Sequence, residues 1–376
     1  MLFRSRSAFH HRWAARGYSL VELMIAMAIG LVIVAAVLYV FVSNRQSYRT
    51  TEGMSRIQEN ARISFELLAR DIREAASVPC GNSIPVADTL NGASIAGTTW
   101  VSWNNAIAGY DDGATFPGAA FGTAAGSRAT GLTVASTTYE SDAIQVIRGT
   151  GVGQTVVSDA PGSATITLQG NTKLDSTTDF STGDIAMVCD YNQAAIFQIT
   201  NVAGLVLTHA ATGTAPGNCS SRLGIGLTTT WCDSNANTPA RSFGANSLLV
   251  HVAANGWYLG CNGRGAASGG ADCTQDAGRS LYRTTLQSNG AGGVSMVSEE
   301  IIDGVRGLKI QYLTNTATNY VDASGVADWA TVVSAKLQIT LSTLDTGLST
   351  TAASTINASR ITRDLTYVVN LRNRVL

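Results

Sequence analysis

The sequence predicts an α+β fold in which one long N-terminal helix precedes a β-rich head of antiparallel strands. Three observations lead to this prediction. An apolar run near the N-terminus continues into a helix-periodic segment, and many short runs of strand character follow it. The 38 glycines, together with abundant Thr and Ser, indicate turns and long loops between those strands. A helix followed by a series of short strands is typical of α+β proteins.

The composition excludes some functional classes. The chain has 376 residues, of which 45% are hydrophobic and 14% charged, so it holds enough apolar material for a sizeable core. Its 25 basic and 26 acidic residues give a net charge of -1 without long runs of one sign. We therefore predict no specific nucleic-acid partner.

The N-terminal region predicts a membrane anchor. From Leu23 to Val42 the chain has 20 consecutive uncharged, mostly apolar residues, long enough to cross a bilayer as a helix. A cleaved secretory signal would be shorter and would end in a small-residue cleavage site, which is absent after Val42. Residues 1–17 contain no acid and four arginines: Arg4, Arg6, Arg12 and Arg16. The positive-inside rule therefore predicts a cytoplasmic N-terminus and an exported remainder.

One carboxylate, Glu22, stands at the start of this apolar run. One interpretation is a boundary residue whose side chain reaches the lipid headgroups. The other is that Glu22 pairs with a cation, since an acid inside a membrane span costs about 2.5–3.5 kcal/mol at the centre and less at the edge. Cleavage after Gly17 would provide that cation, because the new amino group of Tyr18 would lie one helical turn away.

The next segment is periodic and predicts an amphipathic continuation of the helix, ending near Val78 before Pro79. We expect Gly30 and Gly53 to be its bending points. Packing of its apolar stripe on the protein's own sheet is favoured over a coiled coil with another chain. The stripe recurs at steps of three and four residues and consists of Met54, Ile57, Ala61, Phe65, Leu68, Ile72 and Ala75.

The remaining chain predicts the β-rich head. Residues 82–138 are rich in Gly, Ala, Thr and Ser without sustained periodicity, so we expect irregular loops with short strands around Thr99 to Trp103. Alternation is clearest at Leu337, Ile339 and Leu341. The predicted strands are residues 142–148, 164–169, 184–189, 195–200, 247–253, 280–286, 308–313, 332–342 and 361–371.

Six cysteines, none spaced as CxxC, favour disulfides in an oxidising compartment over a zinc or redox site. Six cysteines allow fifteen pairings, and the sequence does not choose among them. Pairing of nearest neighbours would join Cys219 to Cys232 and Cys261 to Cys273, which leaves Cys80 for Cys189.

No pattern predicts a catalytic residue, a metal site or a cofactor. His209 and His251 are interpreted as ordinary strand or loop residues. The glycine-rich GTGVG at 149–153 fits no phosphate-binding motif and is interpreted as a turn. Asp111, Asp112 and Gly113 lack the alternating oxygen ligands of a calcium loop.

The N-terminal residues resemble the class III signal of type IV prepilins and pseudopilins. A basic leader ending in Gly17 is followed by an aromatic residue and SLVELMIAMAIGLVIVAAVL. Tyr18 stands where most members have phenylalanine. The resemblance implies that a prepilin peptidase cuts after Gly17 and methylates the amino group of Tyr18. It also implies that Glu22 pairs with the terminal amine of a neighbouring subunit during assembly.

Further segments resemble the PilW type of minor pilins, over nearly all of residues 16–376 and least in 82–138. They include RIQENARISFELLARDIREAA, GDIAMVCDYNQAAIFQIT, VSEEIIDGVRGLKIQYL, VADWATVVSAKLQITL and LTYVVNLRNRVL. Ala61 stands where that family often has glycine.

The resemblance implies a non-enzymatic minor pilin of the priming or tip complex. Its domains would be a cleaved leader (1–17), a transmembrane half-stem (18–42), an amphipathic half-stem (43–78) and a periplasmic head (79–376). Its expected partners are the inner membrane, the prepilin peptidase, the other minor pilins and the major pilin, with a tip adhesin as a further candidate. Two alternatives remain open at this point: a minor pseudopilin of a type II secretion system, or a signal-anchored binding or enzymatic domain.

Overall fold

The computed structural model describes most of the chain and divides it into two compact units, Met1–Glu52 and Gly53–Leu376. The described residues are 19–81, 84–91, 100, 102–103, 106–134, 136–170, 178–211, 216–225, 238–264, 273, 276–289, 292–348 and 359–374.

Helix α1 spans Leu20–Arg73 and is continuous through both glycines of the stem. It ends five residues before the predicted boundary at Val78, because the next residues form contacts with the sheet. The backbone N–H of Ala76 donates to the carbonyl of Ile147 at 3.0 Å, and Ala76 takes a left-handed conformation with φ of 57°. The chain therefore turns onto the sheet before Pro79 can end the helix.

All nine predicted strands are present in the head. The structure adds short strands and one long strand, Val294–Asp303, that the sequence analysis did not predict. The expected strand around Thr99 to Trp103 was wrong, because Trp100, Ser102 and Trp103, the described residues of that stretch, lie in no strand. Within the described residues the strands are β1 (Val86–Asp88), β2 (Ile107–Tyr110), β3 (Leu132–Val134), β4 (Thr137–Tyr139), β5 (Ala143–Ala160), β6 (Thr165–Leu168), β7 (Ile185–Cys189), β8 (Ala194–Gln198), β9 (Asn201–Ala203), β10 (Val206–Thr208), β11 (Leu248–Cys261), β12 (Arg279–Ser288), β13 (Val294–Asp303), β14 (Val305–Thr314), β15 (Val332–Ser342) and β16 (Thr362–Asn370).

The largest sheet is built around β11 and has 11 strands in the described part of the chain. One edge of β11 pairs with β5, while its other edge pairs first with β7 and then with β12. Strand β13 extends the sheet beyond β12. The pairs are antiparallel as predicted, except that β1 runs parallel to β8.

A second sheet of three strands, in the order β14, β15, β16, follows directly in the chain. Gly304 forms the corner between β13 and β14, with φ of +69°. Its N–H donates to the carbonyl of Arg279 at 3.1 Å, and its own carbonyl accepts from Ser342 N–H at 2.8 Å. The corner thus bonds to both sheets. A small hairpin of β3 and β4 completes the described strands.

The main core lies where the second half of α1 meets both sheets. The predicted stripe is confirmed, since Leu68, Ile72 and Ala75 are fully buried, and Met54 and Phe65 pack at the margin. Facing them are apolar residues of the large sheet and of the small one: Ile144, Val146, Trp257, Leu259, Ile310, Leu337, Ile339 and Leu341. Packing on the protein's own sheet therefore accounts for the stripe.

The Gly304 corner yields a test of why glycine is needed there. A Cβ at Gly304 would lie 2.7 Å from the Ser342 carbonyl oxygen, whereas one at Gly347, which has a similar φ of +73°, would meet open space. We expect Gly347→Ala to lower the free energy of unfolding by about 1 kcal/mol through backbone strain alone, and Gly304→Ala by about 3 kcal/mol. Denaturant unfolding of the full chain in detergent measures both. If the two variants lost equal free energies of unfolding, the short distance between Gly304 and the Ser342 carbonyl would not be the reason for glycine at the corner.

Candidate functional site

The candidate assembly site is the N-terminal part of α1. The helix begins with the Leu23 N–H donating to the Ser19 carbonyl at 3.1 Å, and Glu22 lies in its first turn with an exposed side chain. An acid in this position also interacts favourably with the helix dipole. Gly17 and Tyr18 lie outside the described residues, so the cleavage and methylation site remains a prediction.

The apolar half of α1 is exposed throughout. Leu31 is 72% exposed and Phe41 64%, and the other large apolar side chains from Leu20 to Val42 are exposed to a similar degree. In the described part of the chain this is the one helix long and apolar enough to cross a membrane, with a mean hydropathy of 2.9 in its most apolar window. Because none of the described residues of Met1–Glu52 covers these side chains, we expect an external apolar environment to do so.

In the head, the second half of α1 carries a buried carboxylate that the sequence analysis did not single out. Asp71 is 4% exposed, and its Oδ2 accepts hydrogen bonds from Trp257 Nε1 at 2.8 Å and Asn255 Nδ2 at 3.0 Å. Its Oδ1 lies 3.3 Å from Arg148 Nη2, and Arg148 also pairs with Glu74. Asp71 thus joins α1 to β5 and β11. In the sequence, Asp71 and Glu74 each follow an arginine directly, and this pattern does not indicate that one of the two acids is buried.

Two of the three predicted cysteine pairs lie at disulfide distance. Cys80 is joined to Cys189 with a Cα–Cα distance of 5.8 Å, and Cys261 to Cys273 with 5.2 Å. The first bond ties the segment after α1 to β7, and the second closes a short loop beside β12. Cys232 lies outside the described residues, so the Cys219–Cys232 pair stays a prediction.

His209 and His251 lie in a loop and in a strand, as predicted. His251 lies on β11, stacked on Phe180 with ring centroids 4.1 Å apart. His209 follows β10 and is 1% exposed, and neither of its ring nitrogens has a hydrogen-bond partner in the described residues. Burial lowers the pKa of His209 to about 4, so its ring is neutral at pH 7.

The glycine-rich stretch 149–153 is not the turn that was predicted. It lies inside β5, where Gly151 has φ of +89° and the register with β11 shifts between Leu249 and His251. On β5 three residues, Gly151 to Gly153, stand against the single Val250 of β11, which is an irregularity of the β-bulge kind that only strand pairing reveals.

The carboxylates of Asp111 and Asp112, which were considered as calcium ligands, accept hydrogen bonds from backbone amides. Asp111 accepts from Ala323 N–H at 2.9 Å and Ser324 N–H at 2.8 Å, and Asp112 accepts from Gly131 N–H at 3.1 Å. In the described residues no group of three or more acidic, His or Cys side chains is arranged to hold a metal. These aspartates therefore organise loops of the head.

Buried arginines are the other feature that sequence reasoning missed. Arg128 is fully buried and donates to four carbonyls, among them Ala114 O at 2.6 Å and Ser141 O at 2.7 Å. Burial lowers the pKa of Arg128 to about 10, which still leaves it charged at pH 7. It therefore orders the loop after β2, inside the segment that was predicted to be irregular.

An exposed apolar half-helix with an acid in its first turn, followed by a helix half packed on a disulfide-bonded β-rich head, defines the class of prepilin-type filament subunits. Residues 14–38 match the family model of the prokaryotic N-terminal methylation motif. Residues 268–373, which include β12 to β16, match the model described as Type IV Pilus-assembly protein W. Neither a curated protein nor a solved structure matches the chain significantly.

The two matches lie at opposite ends of the chain and agree on one role. The chain thus contains a prepilin-type methylation motif and a C-terminal region similar to PilW, and together these matches support a minor pilin role in type IV pilus assembly. Association with a membrane and with other pilus proteins follows from the prepilin motif.

The buried Asp71 predicts a large loss of stability when its charge is removed. Asp71→Asn leaves the Arg148 guanidinium, whose side chain is 12% exposed, with Glu74 alone, so we expect the free energy of unfolding to fall by about 3 kcal/mol. Additional replacement of Arg148 by Met should recover part of that loss. Chemical unfolding of the full chain measures both variants.

The matched control is the exposed pair of Arg62 and Glu66 on the same helix, 2.9 Å apart. Arg62→Ala should leave stability unchanged within error. An Asp71→Asn protein as stable as the Arg62→Ala protein would contradict a role for the buried pair.

His209 predicts a pH-dependent stability. Because its folded-state pKa of about 4 is below the ordinary 6.5, the unfolded chain binds the proton more readily and stability is lost as the pH falls below 6.5. Between pH 7 and pH 5 the wild type should lose about 2 kcal/mol relative to His209→Phe, whose ring cannot be protonated. Comparison of the two proteins cancels the contribution of buried carboxylates such as Asp88, whose pKa is raised to about 7 by burial. Parallel stability curves between pH 7 and pH 5 would contradict the assignment.

Proposed function

We propose that the chain is a prepilin that is cut after Gly17, methylated at Tyr18 and then incorporated into the priming or tip complex of a type IV pilus. Its activity is assembly, and it turns over no substrate. The observation that carries the proposal is the half-helix from Leu20 to Val42, which is apolar on all sides, is left uncovered by the described residues and carries Glu22 in its first turn.

Assembly exchanges one apolar environment for another. In the bilayer the exposed side chains of α1 contact lipid, and in a filament they contact the helices of neighbouring subunits, so the apolar area remains covered at both stages. Lipid and helix faces are similarly apolar, so this exchange alone gives little direction. A specific polar contact is needed to fix the position of each subunit.

Glu22 supplies that contact in the proposal. Its carboxylate pairs with the methylated amine of Tyr18 on the adjacent subunit, a charge-assisted hydrogen bond that offsets the desolvation of both groups. The amine exists only after cleavage, so an unprocessed chain lacks half of the pair. Processing and assembly are thereby coupled.

Orientation follows from charge and from redox chemistry. The four leader arginines favour a cytoplasmic N-terminus. The disulfides Cys80–Cys189 and Cys261–Cys273 support a location in an oxidising compartment such as the periplasm. The head is therefore periplasmic before assembly and reaches the cell surface with the pilus. Other minor pilins, the major pilin and a tip adhesin are the partners that we propose for it.

Replacement of Glu22 tests the proposal. Glu22→Ala should reduce the number of surface pili at least tenfold, because the subunit enters the membrane without the contact that positions it. Glu59→Ala, which changes an exposed acid on the same helix, should leave piliation unchanged. Pili are counted by electron microscopy in cells whose chromosomal copy is replaced.

Mass spectrometry of the purified proteins separates a processing failure from an assembly failure. Both variants should begin at Tyr18, and the wild-type terminus should be methylated. A wild-type protein that retains residues 1–17 would overturn the prepilin proposal, and normal piliation with Glu22→Ala would overturn the role of the carboxylate.

A further inference from the structure

Arg279 is the first residue of β12 and lies beside a cavity. Arg279 is 1% exposed and forms part of the wall of a cavity of about 230 Å³. The other lining residues are Gly122, Thr123, Thr130, Gly131, Leu132 and Cys273. The pilus-assembly role described above makes no use of this cavity.

The hydrogen bonds of Arg279 are incomplete along one edge. Its Nη1 donates to Thr130 O at 2.9 Å and to Cys273 O at 3.2 Å. Its Nε and Nη2 are buried and have no hydrogen-bond partner in the described part of the chain. Buried donors without partners are unfavourable, and two on one guanidinium call for an explanation.

The unpaired edge of Arg279 has the geometry that holds a carboxylate. The Nε–H bond and one N–H bond of Nη2 lie parallel on this edge of the guanidinium, so they can donate to the two oxygens of one carboxylate. Arg306 uses this kind of edge on Asp276: its Nε lies 3.1 Å from Oδ1 and its Nη2 2.5 Å from Oδ2.

The local charge favours an added anion. The buried guanidinium of Arg306 pairs with Asp276, and Arg360 Nε lies 3.9 Å from the same carboxylate. Asp276 and Asp112 both act electrostatically on Arg279, but Asp112 directs its oxygens to the N–H of Gly131. Burial lowers the pKa of Arg279 to about 10, so it is charged at neutral pH.

We infer that this cavity is a carboxylate-binding site in which the Nε and Nη2 edge of Arg279 receives both oxygens of the ligand. The exposed Thr123 and Thr130 stand at its rim, and Leu132 and Cys273 give it an apolar wall. Since both nitrogens are shielded from solvent, entry of the carboxylate requires a movement of the Arg279 side chain or of the cavity wall. The carboxylate belongs either to a small organic acid or to an acidic side chain of another protein.

Saturation-transfer NMR of the full chain in detergent tests the inference with propionate and its neutral analogue propionamide. The wild type should give a propionate signal at least threefold stronger than the propionamide signal. Arg279→Gln and Thr123→Trp, which fills the cavity from its exposed rim, should each abolish the difference. Thr115→Trp, the same change at an exposed residue outside the cavity wall, should preserve it.

Thr123→Trp leaves the buried arginine in place, so the test does not depend on the folding of Arg279→Gln. Equal propionate and propionamide signals in the wild type, or an unchanged difference in Thr123→Trp, would overturn the inference.

A photocross-linker at Thr123 in piliated cells identifies the source of the carboxylate. An adduct with a pilus subunit that is lost in Arg279→Gln indicates a protein side chain. Propionate binding without an adduct indicates a small acid.

Discussion

The rest of the head depends on the contact between the buried carboxylate of Asp71 and the group formed by Arg148, Trp257 and Asn255. Apolar packing alone would let the α1 stripe slide or rotate over the sheets, because dispersion and hydrophobic burial have little directionality. A buried carboxylate cannot slide, since each displaced hydrogen bond would leave a polar group unsatisfied. Asp71 therefore determines which part of α1 meets β5 and β11.

The same principle organises the head away from α1. Arg128 gathers the carbonyls of the loop after β2, and Arg306 and Asp276 form a buried pair beside the corner at Gly304. These side chains replace regular strand pairing where the chain is irregular. Arg128 thereby helps to hold in place the described part of a segment rich in Gly, Ala and Thr.

Sequence patterns predicted the elements in which local periodicity and burial agree. The stem stripe from Met54 to Ala75 and the strand containing Leu337, Ile339 and Leu341 have their apolar residues on one face, and both are found as predicted. The predictions that failed depended on contacts between distant residues. Helix α1 ends at Arg73 because Ala76 bonds to Ile147, and the stretch at 149–153 is a bulge because of its register with β11.

The sequence by itself determined the α+β class, the apolar anchor with Glu22 at its start, the amphipathic stripe and the resemblance to prepilins, because each of these depends on residues close together in the chain. Only the tertiary structure decided that Asp71, Arg128 and Arg279 are buried, since the partners that make burial of a charge tolerable come from distant strands and loops. A charged residue in a sequence carries no sign of which partner it will meet. For this reason the assembly segment was readable from sequence, and the carboxylate-binding cavity was not.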